Sequence, residues 1–217
     1  MMARNGSDVT SVHLELGSRL AQSRPRPAGY PPEVEARLAS DAAIIIARYP
    51  HPRSALLPLL HLVQSEDGCV TDTGIGFCAR LLGLTAAEVS AVSSFYSMYR
   101  RNPAGRHLVG VCTNTLCAIM GGDAILDALR VHLAVDPGQT TTDGSVTLEH
   151  VECNAACDYA PVVMVNWQFH DRQTCATATA LVDSLRGRAP VPPSRGGAPC
   201  TFRDASRELA GLPPEVT

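Results

Sequence analysis

Two cysteine pairs restrict what this chain can become more than any other feature: Cys112-Thr-Asn-Thr-Leu-Cys117 and Cys153-Asn-Ala-Ala-Cys157. The first pair encloses four residues and the second three. Each pair stands where a strand-like run gives way to a loop. Residues 107–111 lead straight into Cys112, and the alternation over 145–152 leads into Cys153. Four thiolates delivered from two neighbouring loops can close around one metal centre, so the fold must place those loops side by side.

The chain holds eight cysteines, and the other four, Cys69, Cys78, Cys175 and Cys200, stand alone. No basic stretch followed by an apolar run opens the sequence, so no secretory leader is expected. In a reducing compartment paired cysteines favour metal or redox chemistry over structural disulfides. Apolar runs at 42–47 and 55–63 are far shorter than the roughly 20 residues that span a bilayer. A net charge of −3 offers no basic field for nucleic acid or an anionic surface. A chain of 217 residues with 45% hydrophobic and 18% charged residues is long enough for a full core in one or two domains.

Residues 1–30 show no sustained periodicity and read as a flexible arm. From Pro31-Pro32 the period is helical, and residues 31–103 read as a helical bundle. Val34, Leu38, Ile45 and Ile46 lie on one face of a first helix, and Ser54 is positioned to cap a second that Gly68 stops. A third spans about 74–82. The fourth opens on Thr85-Ala-Ala-Glu88, a capping box flanked by the Leu84/Val89 staple, and runs to Phe95. Phe95 and Tyr96 are expected in the core or at the domain junction.

The period then changes. Strand 107–111, a helix capped by Asp123, strand 145–152, strand 162–165, a hairpin partner within 166–172 and a helix at 174–186 follow in order. The fold class is thus mixed, a helical bundle followed at 104–186 by a domain with the thioredoxin-like order. Residues 187–217, rich in Pro, Gly and Arg, read as a tail that is disordered or bound along a partner, with one short helix at 204–212.

Thiolates select zinc or iron–sulfur clusters over harder ions. The familiar zinc knuckle has two residues between its cysteines, a poor match to four and three. Thiol–disulfide chemistry usually uses Cys-x-x-Cys at a helix start, and a Rieske centre needs Cys-x-His; neither occurs at these pairs. An iron–sulfur cluster fits best, with zinc as the alternative.

The flanking residues narrow this. Cys112-Thr-Asn-Thr-Leu-Cys117, Gly138-Gln-Thr-Thr-Thr-Asp-Gly144 and Val151-Glu-Cys-Asn-Ala-Ala-Cys-Asp-Tyr-Ala-Pro161 resemble the E-subunit family of NADH-quinone oxidoreductase, respiratory complex I. So do Arg53-Ser-Ala-Leu-Leu-Pro-Leu-Leu-His61, Val63-Gln64 and Ser94-Phe-Tyr96, and the likeness runs over about 35–186. The resemblance implies a helical bundle joined to a thioredoxin-like [2Fe-2S] ferredoxin domain, with Cys112, Cys117, Cys153 and Cys157 as cluster ligands. It implies an electron-transfer subunit of the proton-translocating NADH:quinone oxidoreductase, with no catalytic site of its own. FMN and NADH would sit on a partner, the flavin-bearing subunit of F type, beside an iron–sulfur subunit of G type. The place implied is the peripheral arm on the cytoplasmic side of the inner (plasma) membrane, without membrane insertion and without nucleic acid. A related reading is the matching subunit of an NAD-linked hydrogenase or formate dehydrogenase. A zinc-stabilised interaction module is the reading from another class.

Where the family commonly has Leu-Gly-Ala between its last two cysteines, this chain has Asn154-Ala-Ala156. Ala155 lacks the backbone freedom of glycine, and Asn154 adds a polar side chain beside the site. Pro161 stands where thioredoxin-like folds often hold a cis proline, though an ordinary trans proline is the default. His150 reads as a strand residue, Asp158 as a solvated charge, and Cys69 and Cys78 as small buried hydrophobes. Gly121-Gly122 precedes a helix but lacks the rest of a dinucleotide fingerprint.

Overall fold

The computed structural model describes residues 29–189 and 191–214. All but the last two residues of the arm expected at 1–30 lie outside them. The helical part begins with α1 (Pro32–Ile46), whose first-turn proline and acidic Glu33 and Glu35 suit a helix N-terminus. Leu38, Ala42 and Ile45 are buried on its inner face, and Val34 and Ile46 pack at its margin.

Ser54 does not cap the second helix. It lies within a 3-10 turn over Pro52–Ala55, and α2 (Leu56–Asp67) starts beyond it with no side-chain cap. Gly68 ends α2 in the left-handed region at φ 75°, as a C-terminal glycine does. Seven residues of α2, from Leu56 to Gln64, are buried, so this helix is the axis of the bundle. The third helix, α3 (Asp72–Leu82), starts at the Thr71 cap, earlier than residue 74. Gly74 sits inside it because a Cβ there would stand 3.0 Å from Val63. The expected capping box forms at the head of α4 (Ala86–Phe95), with Thr85 and Glu88 bonding reciprocally.

Phe95 and Tyr96 are not core residues. Phe95 is 80% exposed and Tyr96 45%, because α4 ends there and the chain turns out toward the junction. Tyr99 is the aromatic that goes inside; its hydroxyl donates to the Leu57 carbonyl at 2.9 Å.

The second half comprises β1 (His107–Cys112), the short α5 (Thr115–Ile119), α6 (Gly122–Leu133) and β2 (Val146–Val151). It continues through β3 (Val163–Val165), β4 (Gln168–His170) and α7 (Cys175–Arg186). The sheet order is β2-β1-β3-β4. β1 and β2 are parallel, with His107 opposite Val146 and Cys112 opposite Val151. α6 supplies the crossover that a parallel pair requires. It begins at Gly122, with Gly121 rather than Asp123 at the cap position. β3 and β4 form a hairpin whose two turn residues, Asn166 and Trp167, both have positive φ, the geometry that matches strand twist. Val109, Val111, Leu148, Val163 and Val165 pack against Ile125 and Leu129 of α6 and Leu181 and Leu185 of α7.

The last segment departs from the expected tail. α8 (Phe202–Leu209), capped by Thr201 with Asp204 in reciprocal bonding, folds back onto α2. Phe202, Ala205, Ser206, Ala210 and Leu212 are buried. The segment also grips the sheet domain: Phe202 N–H donates to the Arg106 carbonyl, Asn166 Nδ2 to the Cys200 carbonyl at 2.7 Å, and the Phe202 ring lies 5.3 Å from Trp167. Its inward face carries Phe202, Ala205 and Ser206, while Arg203, Asp204, Arg207 and Glu208 make the rest of the helix strongly polar.

Candidate metal centre

Because β1 and β2 run in parallel, their C-terminal ends emerge at one edge of the sheet, and both cysteine loops leave from that edge. Cys112 is the last residue of β1, and its Sγ lies 3.8 Å from the Glu152 carbonyl that precedes Cys153. Cys117 lies in α5 and packs with Cys112 and Ala160 in a small buried cluster. Cys157 opens a 3-10 turn over Cys157–Tyr159. The Ala160–Pro161 peptide is cis, and the Val162 carbonyl, just beyond it, accepts the Cys112 N–H at 3.2 Å.

The thiols therefore form two unlike pairs, Cys112 and Cys117 buried, Cys153 and Cys157 exposed. Burial pushes the Cys117 thiol up to about 11, and the neighbouring Cys112 and Cys157 sulfurs push the same way while the Val162 backbone offsets part of the rise. Proximity thus links three of the four. Cys153 stands on the outer side of its loop, where its Sγ accepts the Ala155 N–H at 3.3 Å. It borders a groove of about 830 Å³ on the open face of the sheet, with Gly110, Met164, Trp167 and Phe169 along the floor. Among the described residues, no three Cys, His, Asp or Glu side chains converge on one metal-ion position. Zinc and a [2Fe-2S] cluster alike can take four cysteine sulfurs, and all four cysteines lie at or beyond the C-terminal ends of β1 and β2.

The donor set fits a [2Fe-2S] cluster: four soft sulfurs, one of which already accepts a backbone N–H, that of Ala155. Ala155 adopts φ 50°, a left-handed conformation that glycine takes without penalty; in this loop alanine takes it. Gly122 is legible in the sequence only as half of a failed dinucleotide motif, yet it shapes the site. A Cβ there would stand 2.5 Å from the Cys112 carbonyl oxygen and 2.9 Å from that of Cys117. The glycine pair that follows Cys117 within one helical turn is the available clue. His150 is exposed on β2. Asp158 is exposed and pairs with Arg195 at 3.5 Å. Cys69 and Cys78 are buried in the bundle, away from the pairs, and burial pushes the Cys78 thiol up to about 12. Cys175 is exposed and Cys200 half-buried.

Fold and site together define a thioredoxin-like domain with paired cysteines at the mouth of its parallel strands. The family model described as thioredoxin-like [2Fe-2S] ferredoxin matches residues 42–186. The NADH-quinone oxidoreductase E subunit of Mycobacterium tuberculosis is 66% identical over 187 residues, spanning 86% of this chain and 74% of that protein. NADH-quinone oxidoreductase subunit 2 of Thermus thermophilus is 38% identical over 143 residues, 64% of this chain and 79% of the other. An air-oxidised NAD+-reducing [NiFe]-hydrogenase shares the fold at a TM-score of 0.56 and 24% identity, over 62% of this chain and 23% of the hydrogenase chain. The chain belongs to the thioredoxin-like [2Fe-2S] ferredoxin family and, within it, to the E-subunit family of NADH-quinone oxidoreductase.

Proposed function

We propose that this chain holds one [2Fe-2S] cluster on Cys112, Cys117, Cys153 and Cys157 and exchanges electrons with the flavin of a neighbouring NADH-oxidising subunit. The carrying observation is the arrangement of the thiols, one buried pair and one exposed pair at a single sheet edge. When bound, the cluster supplies one-electron transfer. The protein's share is positional. Cys112 and Cys117 anchor the inner side against β1 and Ala160. Cys153 and Cys157 sit at the surface, where a redox partner can approach.

That approach has a surface to use. Leu116, Ile119 and Met120, 39%, 78% and 54% exposed, flank Cys117, and an exposed apolar patch beside a functional group marks an interaction site. On this reading the flavin-bearing F-type subunit, which carries FMN and binds NADH, covers the patch, with the G-type iron–sulfur subunit adjoining. The assembly would form part of a peripheral arm on the cytoplasmic side of the membrane; among the described residues no single helix is long and apolar enough to cross a bilayer. The 66% identical relative from the quinone oxidoreductase favours this assembly over the hydrogenase alternative, where the likeness is one of fold.

Anaerobic purification followed by iron, sulfide and zinc analysis tests the ligand set. The expected result is two irons and two labile sulfides per chain, visible absorption, and an EPR signal on one-electron reduction. Replacing any one of the four cysteines with Ala should abolish it. Stoichiometric zinc in a colourless protein would instead establish the interaction-module reading.

A further inference from the structure

We propose that the Asn154 side chain donates a hydrogen bond to a sulfur of the iron–sulfur centre and thereby raises its reduction potential. The inference rests on the four-cysteine ligation proposed above. Asn154 follows Cys153 directly and is half-buried, and its Nδ2 is enclosed without any acceptor from the protein. A buried amide N–H left unpaired is destabilising, and buried polar groups in native proteins are nearly always bonded to protein, water or ligand. This orphan lies inside the loop that joins two of the thiols.

The loop's backbone is built to aim N–H groups at sulfur. Ala155, held at φ 50°, turns its N–H back onto Cys153 Sγ at 3.3 Å. The Asn154 amide is a second donor in the same setting, and sulfur is the acceptor chemistry that this site assembles. Reduction adds one negative charge to the centre. The positive end of an N–H dipole stabilises the reduced state more than the oxidised one, which moves the potential upward. Leucine, which the family commonly carries at this place, has no such donor.

The test is an EPR-monitored redox titration of the cluster-loaded protein and its Asn154→Leu and Asn154→Gln variants, with pulsed EPR for nitrogen couplings. For Asn154→Leu we expect a roughly tenfold shift of the one-electron equilibrium toward oxidised, about 59 mV downward, and loss of one nitrogen coupling. Asn154→Gln, which keeps the amide, should recover part of the shift. Loaded wild type and Asn154→Leu with equal potentials and couplings would overturn the proposal and assign the Nδ2 partner to water. Failure of both variants to hold the cluster would also overturn it, making Asn154 an assembly residue. A wild type without [2Fe-2S] absorption would refute the ligand set itself, a separate failure visible before any variant is made.

Discussion

Replacing Gln64 with Leu should weaken the protein more than any surface change, because Gln64 ties three distant segments together. Its side chain is fully buried in α2. Nε2 donates to the Met98 carbonyl at 3.1 Å and to Ser206 Oγ at 3.3 Å, and Oε1 accepts the Arg100 N–H at 2.7 Å. One amide thus joins the bundle, the junction leading to β1, and α8. Leucine has a similar volume, so no large cavity opens; the loss is electrostatic. Two backbone groups and one buried hydroxyl lose their partner, and at about 1–3 kcal/mol for each unsatisfied group the total comes to about 3–5 kcal/mol after partial relaxation. For a chain of this size that lowers the melting temperature by on the order of 10 °C. Ser206→Ala removes one of the three bonds and should cost about 1 kcal/mol, with a coupling to Gln64 visible in a double-mutant cycle. Urea unfolding followed by circular dichroism measures both, provided the m-value is unchanged. A Gln64→Leu protein within about 1 kcal/mol of wild type would refute the keystone role.

Two further perturbations probe the site and the junction. Gly122→Ala drives a methyl group against the carbonyl oxygens of Cys112 and Cys117, so iron content and the EPR signal should fall sharply; full occupancy with an unchanged spectrum would show that the loop accommodates a Cβ. His61 is buried against Tyr99 with Nδ1 unpaired, and burial pulls its imidazole from its ordinary 6.5 down to about 4. The unfolded chain takes up the proton first, so the stability due to neutral His61 is present above pH 6.5 and is lost as pH falls from 6.5 toward 4. Between about pH 7.5 and 5.5 this amounts to about 1.3 kcal/mol, and His61→Phe should remove that part of the pH slope in urea midpoints. Equal slopes in the two proteins would refute the assignment.

Features that act over a few residues were readable in the chain. The Thr85–Glu88 capping box lies within one helical turn, and the structure forms it as written. The cysteine pairs and the strands feeding them were legible because spacing and alternation are local properties, and the order of elements pointed to the thioredoxin-like half. Ser54 misled because Pro52 begins a 3-10 turn before the helix proper. Of the two places expected for Phe95 and Tyr96, exposure excludes the core; aromatic character does not say which side of a helix end faces solvent.

α8 shows why the remainder was hidden. Its amphipathic pattern, with Phe202, Ala205 and Ser206 on the buried face, marks a helix but not the surface it covers, and part of that surface is Gln64, 142 residues earlier in the chain. The same holds at the sulfurs. Cysteine spacing favoured an iron–sulfur centre and left zinc open, and the residues flanking the cysteines carried the likeness to a [2Fe-2S] family. Which pair is buried, which N–H groups face which sulfur, and that Asn154 Nδ2 is enclosed without a partner were settled by packing. Burial and the pairing of buried polar atoms depend on segments that meet only once the chain has folded, and no local pattern records them.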